Sequence, residues 1–163
     1  HRMMSAVYLS QHNYRLAEEH GRKSYEINPN DPRVVSGFGE VLVRVGKVDE
    51  GIGHLQKAYE LDPVPQGQTN SDKRLSDLVL GHFMNSDFEN CIEFGNSMQT
   101  LDMRSWVFRS FALDKIGEFS SQIDEAKQWK ESQNIDDWAS AIDRFHIPDE
   151  KMVEDIKEFV ETI

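Results

Sequence analysis

The chain has 163 residues, one cysteine and a formal net charge of −11 at neutral pH, which is distributed unevenly. Residues 1–68 hold 8 Lys and Arg against 9 Asp and Glu, whereas residues 69–163 hold 10 against 20. The sequence lacks the clustered positive charge of a nucleic-acid-binding face and any apolar run near the roughly 18 residues of a membrane span. We therefore predict a partner that is neither nucleic acid nor membrane. The lone Cys91 cannot form an internal disulfide, which favours a reducing, cytoplasmic location.

Two near-identical phrases, Glu26-Ile27-Asn28-Pro29 and Glu60-Leu61-Asp62-Pro63, end the first two units of the chain. Their prolines are 34 residues apart, a period typical of stacked pairs of helices. Each phrase predicts the end of a second helix, because proline lacks the backbone donor and fits poorly inside a helix. The period places these units at about residues 1–31 and 32–63.

The second unit carries the clearest local signals for a helical hairpin. Asp31 is expected to cap its first helix, with Pro32 as the first helical residue. Gly46 is expected to end that helix, since glycine readily adopts the left-handed conformation found there. Gly51 and Ala58 are small residues on the predicted second helix, which allows the two helices to cross closely.

Beyond Pro63 the period breaks at a turn-rich connector, residues 64–69. The pattern then resumes after a six-residue insertion, which predicts a third unit at about residues 70–103. A fourth, degenerate unit is expected at about residues 104–133.

Residues 134–163 have the pattern of an end cap, which solenoids need to shield their last apolar face. A short helix is expected first, with one shared face that holds Ile135, Trp138, Ala139 and Ile142. The last helix is expected to begin at Asp149 and Glu150, whose carboxylates suit the helix dipole. An alternative role for this last helix is docking on another chain.

The chain resembles the tetratricopeptide repeat (TPR) family, with the best motif matches in residues 1–63. More narrowly, it resembles the TPR modules that follow class III adenylate/guanylate cyclase domains in bacterial proteins. The residues that carry this likeness are Ala17-Glu18-Glu19 through Asn28-Pro29-Asn30-Asp31, then Glu40-Val41-Leu42 with Gly46, and the closing Arg144-Phe145-His146-Ile147-Pro148-Asp149. The resemblance implies one all-α domain over residues 1–163, a right-handed superhelix of about four helix hairpins with C-terminal capping helices, as a fragment of a longer chain.

In a TPR superhelix the first helix of each pair lines a concave groove, and the resemblance therefore implies a protein-binding groove here. Its expected residues are Arg33, Glu40, Val43, Arg44, Lys73, Leu80, Phe83, Arg104 and Phe111. Phe83 and Phe111 would anchor apolar side chains of a bound segment, while the basic residues would bind its acidic groups. The alternative is that Phe83 and Phe111 pack against the C-terminal helices and that the arginines are merely solvated.

No motif in the sequence points to chemistry. There is no phosphate-binding glycine loop, no His-Glu-x-x-His, no paired cysteine motif and no Gly-x-Ser-x-Gly elbow. The six histidines are dispersed, and the carboxylates have the pattern of solvated helix faces. We therefore predict a protein that is not an enzyme, with no catalytic residue, no metal ligand and no cofactor.

The function expected from these features is a non-catalytic interaction or scaffold module, acting as a regulatory part of a bacterial signalling protein of the cyclase type. Its partner would be a protein or peptide. The alternative is a self-association module that forms a homodimer. A small-ligand sensor or an enzyme ranks last, since nothing in the sequence demands a deep apolar pocket.

Overall fold

The computed structural model describes all 163 residues, and it contains helices and no β-strand, which confirms the predicted all-α class. A short 3-10 turn, Phe119–Gln122, precedes α8. The ten helices are α1 (Arg2–Ser10), α2 (Tyr14–Ile27), α3 (Pro32–Arg44), α4 (Val48–Leu61), α5 (Asp72–Met84), α6 (Phe88–Ser97), α7 (Met103–Lys115), α8 (Ile123–Ser132), α9 (Trp138–Asp143) and α10 (Glu150–Thr162). None of them is long and apolar enough to cross a membrane.

Carboxylate caps set several helix starts. The Asp31 carboxylate accepts a hydrogen bond from the backbone N–H of Arg33 at 2.9 Å, with Pro32 as the first helical residue, which confirms both predictions. The last helix, α10, begins at Glu150, the start predicted from Asp149 and Glu150, and the Asp149 carboxylate caps it. Asp137 caps α9, so that this helix begins at Trp138. Ile135 lies before this cap, and its predicted place on the face of α9 is therefore wrong.

The turns inside the first four helix pairs share one backbone geometry. In each turn one residue adopts the left-handed conformation, with φ between +54° and +88°. These residues are His12, Gly46, Ser86 and Gly117. The next N–H then donates to the carbonyl five residues back, at 2.8 to 2.9 Å, which satisfies an end carbonyl of the first helix. The four turns thus share one geometry, although only two of them have glycine at the left-handed position, and in the fourth pair the 3-10 turn follows before α8.

Glycines allow α3 and α4 to cross closely. A Cβ on Gly51 would lie 2.6 Å from Val43 Cγ1 and 2.8 Å from the Val43 backbone nitrogen. A Cβ on Gly39 would lie 2.9 Å from the carbonyl oxygen of Gly51. Side chains at these positions would push the two helices apart.

The hairpins stack so that α1, α3, α5 and α7 pack side by side and each second helix packs on the next first helix. We call the surface of α1, α3, α5 and α7 that points away from the second helices the first-helix face. The main apolar core runs from α3 to α10, and the rings of Phe83 and Phe108 stack within it at 4.0 Å. The core therefore continues past the four hairpins into the end of the chain.

Candidate functional site

The last part of the chain, residues 138–163, lies over the C-terminal halves of α3, α5 and α7, and we call it the C-terminal segment. The Phe159 ring of α10 meets the Phe111 ring edge-on at 5.6 Å between centroids. The Phe145 ring meets the Phe108 ring in the same way at 5.6 Å. At the far end, the Phe145 carbonyl accepts a hydrogen bond from Arg44 Nη2 at 3.3 Å. The segment thus covers one half of the first-helix face.

Five of the nine expected groove residues are buried at 6% exposure or less, which corrects the expectation that they line an open groove. They are Val43, Arg44, Leu80, Phe83 and Phe111. The physical reason is the C-terminal segment, whose apolar side chains share one core with Val43, Leu80, Phe83 and Phe111. Arg44 is buried beside this core, where it donates to the Phe145 carbonyl and pairs with Glu40. Phe83 and Phe111 pack in the core that includes the C-terminal helices. This is the alternative that the sequence left open for these two residues.

The other four expected residues stay at least partly exposed, and each already has a partner within the chain. The Arg33 side chain is 71% exposed and pairs with Asp31 at 2.7 Å. Lys73 is half exposed and Glu40 about a quarter, and their charged atoms lie 3.8 Å apart. Arg104 donates from Nη2 to the Ser76 hydroxyl at 3.2 Å. The structure brings Glu40, Arg44 and Lys73 together, with Arg104 near enough for its charge to act on all three. Arg33 lies apart from them at the start of α3.

The buried carboxyl group of Asp77 lies beside Glu40, Arg44 and Lys73, and we call these four residues the charged cluster. Asp77 is 1% exposed, and its Oδ1 accepts a hydrogen bond from Lys73 Nζ at 2.9 Å, while its Oδ2 has no hydrogen-bond partner. Burial, and then the nearby Glu40 carboxylate, raise the pKa of Asp77 to about 6. Burial also acts to raise the pKa of Glu40, but the cations of Arg44 and Lys73 outweigh it and lower that pKa. The cluster joins α3 to α5, and Asp77 is too enclosed to act on a substrate.

The sequence did not predict the contact between the first hairpins and the C-terminal segment. His146 lies between α9 and α10 with φ of +55°, and its ring lies 5.4 Å from that of His12. Its Nδ1 is buried without a hydrogen-bond partner. Burial and the neighbouring Arg44 and His12 lower the pKa of His146, which favours the neutral imidazole. No local pattern signals this contact, because its partners are more than a hundred residues apart in the chain.

The other half of the first-helix face holds an open cleft of about 330 Å³ between α1, α3 and the start of α5. Its walls carry the small residues Ser5, Ala6, Ser36 and Gly37, which leave room between the helices. The apolar lining residues are Leu9, Val34, Phe38 and Val41, and the last three are buried. The charged lining residues are the exposed Arg2, Arg33 and Lys73, the partly exposed Glu40 and the buried Arg74, which pairs with Asp62.

Two further observations concern metal binding and the reactivity of the cysteine. No group of three or more His, Cys, Asp or Glu side chains is placed to hold a metal ion. Cys91 is fully buried, and burial raises the pKa of its thiol to about 12, which keeps it in the unreactive protonated form.

The functional argument rests on the geometry, because the comparisons with known proteins found no match. No protein-family model matches the chain, and no match was found among curated proteins. Membership of the TPR family therefore stays a prediction from the sequence motifs.

Proposed function

We propose that the chain is a TPR-like, non-catalytic interaction module that binds a short segment of another protein in the cleft between α1, α3 and α5. The observation that carries the proposal is this cleft, an opening of about 330 Å³ with apolar lining residues and with the exposed Arg2, Arg33 and Lys73 beside Glu40. A concave site of this size, mostly apolar with a few polar groups, suits two or three side chains of a ligand.

Several features support the TPR-like part of the proposal. The prolines at the ends of the first two units are 34 residues apart, and four helix pairs share one turn geometry. The first helices pack side by side, with the second helices behind them. In a TPR superhelix the corresponding face is the concave side, on which repeat proteins of this kind bind partners.

Energetics favour the open cleft over the covered half as the binding site. The C-terminal segment buries six large apolar side chains, Ile142, Phe145, Ile147, Ile156, Phe159 and Val160, at 8% exposure or less. At about 2 kcal/mol each, their burial contributes on the order of 10 kcal/mol. A partner that displaced the segment would have to expose these side chains to water. We therefore place the binding site in the open cleft and not in the covered half.

The cleft chemistry suggests an extended segment with an apolar side chain near a carboxylate. The apolar side chain would contact Phe38 and Val34, and the carboxylate would bind Arg2, or Arg33 in competition with Asp31. Lys73 contributes less, because Asp77 and Glu40 already neutralise it. The likeness to modules that follow cyclase domains leads us to place this binding in a bacterial signalling protein, as a regulatory element.

The test is selection of displayed random peptides on the purified protein, followed by measurement of affinity by fluorescence anisotropy. We expect the selected peptides to contain Asp or Glu beside an apolar residue. Ser36→Trp, which fills the cleft, and Arg33→Glu should each weaken binding about tenfold or more, as expected for a lost anchor at an interface. Lys127→Glu, a matched charge change at an exposed site on α8, should leave binding unchanged. Peptides that bind the Ser36→Trp protein as well as the wild type would contradict the proposal.

A further inference from the structure

The loop between α9 and α10, residues 144–149, meets the first two hairpins at a contact made largely by basic side chains. Arg44 Nη2 donates a hydrogen bond to the Phe145 carbonyl at 3.3 Å, and the His146 ring lies 5.4 Å from the His12 ring. Two nitrogens, Arg44 Nε and His146 Nδ1, are buried there without a hydrogen-bond partner. We call this region the loop contact.

The unpaired Nδ1 of His146 favours one neutral form of the ring. A buried N–H without an acceptor is costly, so the neutral ring keeps its hydrogen on Nε2 and leaves Nδ1 without one. A second proton must then bind at Nδ1, because this is the one free nitrogen of the ring. The charged ring would carry a buried N–H that has no acceptor in the packed loop. The loop contact therefore fits the neutral ring better than the charged ring.

The cations around the His146 ring also oppose a positive charge on it. Arg44 on α3 is 6% exposed, so water screens its charge only weakly. His12, in the turn between α1 and α2, is exposed and adds a second positive charge when it is protonated. Burial lowers the pKa of His146, and Arg44 and His12 lower that pKa further. Arg144 of the loop is exposed to solvent, and Tyr14, whose hydroxyl lies 3.0 Å from His12 Nδ1, has a pKa raised by burial and stays neutral.

The carboxylates near the loop contact are engaged with other groups. Glu40 pairs with Arg44 at 3.4 Å. On the C-terminal segment, Asp143 pairs with Lys157 at 2.9 Å, and Asp149 caps α10. None of these carboxylates raises the pKa of the histidine in the loop. A proton that binds there consequently meets cations and no free acceptor.

We infer that the loop contact is sensitive to pH, and that protonation of His146 loosens residues 144–149 from the first two hairpins. The apolar side chains of α9 and α10 stay in the core, so the change is confined to this loop and to the turn between α1 and α2. The contact is stable above about pH 6.5, the ordinary pKa of histidine, and weakens as the pH falls below it, because the released ring binds its proton more readily than the packed ring. This behaviour belongs to the free protein and needs no ligand in the cleft.

The experiment is hydrogen–deuterium exchange at pH 7.5 and pH 5.5, with each rate divided by the intrinsic rate at that pH. The backbone amides of Phe145 in the loop and Asn13 in the turn report the contact, since both donate hydrogen bonds there. We expect the protection of both regions to fall about threefold or more at pH 5.5, whereas that of α6 in the third hairpin stays constant.

Two matched variants assign the effect to one ring. His146→Asn should remove the pH dependence, because asparagine does not titrate and tolerates the left-handed backbone found at this position. His54→Asn is the control, since His54 on α4 also packs against an aromatic ring and has a pKa lowered by burial. The His54→Asn protein should keep the pH dependence of the loop. Circular dichroism at both pH values establishes that each variant is folded.

A nuclear magnetic resonance titration of the wild-type protein measures the same proton directly. The ring resonance of His146 should shift at a lower pH in the folded protein than in urea. Each pH unit of this difference corresponds to a tenfold change in the equilibrium between the closed and released loop.

Three results would overturn the inference. Equal protection at the two pH values would show that the loop contact does not respond to protonation. The same pH dependence in the His146→Asn protein would assign the effect to another group, such as Asp77 beside Arg44. Titration of His146 at the same pH in the folded protein and in urea would show that the contact does not oppose the proton.

Discussion

Ile156 tests whether the C-terminal segment belongs to the core or is a tail that can leave the groove. It is fully buried in α10, within the apolar cluster that includes Phe83 and Phe111. Replacement by alanine removes three methyl or methylene groups and leaves a cavity, which costs about 2 to 5 kcal/mol in well-packed cores. If the segment is integral, we expect the free energy of unfolding of the whole protein to fall by that amount in Ile156→Ala.

The assay is urea unfolding followed by far-ultraviolet circular dichroism, which reports all the helices at once. Ile27→Ala is the matched control, since Ile27 is 72% exposed and its truncation should change the unfolding free energy by less than about 0.5 kcal/mol. Native-state hydrogen exchange adds a local measurement. Exchange of α10 amides at a much lower free energy than α5 amides, together with an unchanged main transition in Ile156→Ala, would refute the reasoning.

Three further predictions follow from the packing and the buried groups. The pKa of Asp77 is raised, so its carboxyl group binds a proton more tightly in the folded protein than in the unfolded chain. This tighter binding stabilises the fold below about pH 4, and the stabilisation is lost as the pH rises through about 6. Asp77→Asn should therefore gain stability relative to wild type between pH 4.5 and pH 7.5, by up to about 3 kcal/mol, and parallel pH profiles from urea unfolding would contradict this. Gly51→Ala should destabilise the fold by more than about 2 kcal/mol through its clash with Val43, whereas Gly53→Ala on the same helix has open space and should be neutral or stabilising in thermal unfolding. Cys91 should react with a thiol reagent only at the rate of global unfolding, and rapid labelling of the native protein would show that it is accessible.

Local sequence signals predicted the all-helical class and several helix ends. Asp31, Pro32 and Asp149 act through neighbours one to three residues away, so their roles follow from short-range rules of capping. Gly46 likewise has the left-handed backbone expected at the end of a first helix. Ser86 occupies the equivalent position without glycine, because tertiary packing of the hairpin overrides local preference there.

The covered half of the first-helix face could not be predicted from the same signals. The periodicity of α10 indicated an apolar face but did not say which surface that face would meet. Both the end of the stack and the faces of α3, α5 and α7 offered apolar partners. One contact that holds the segment there joins Arg44 and Phe145, which are 101 residues apart and whose hydrogen bond is made through a backbone carbonyl. A carbonyl is common to every residue, so no residue type records that contact in the sequence.

The contact of the C-terminal segment with the first hairpins has a mechanical consequence. In many repeat proteins each hairpin contacts only its neighbours, and the stack can bend because small rotations at every interface add up. Here the loop between α9 and α10 contacts Arg44 and His12, and it therefore links the C-terminal segment to the first two hairpins. A change in the curvature of the stack would have to break or move these contacts. We therefore expect the width of the cleft between α1 and α3 to vary less than in a stack without this loop, which would lower the cost of ordering the cleft when a ligand binds.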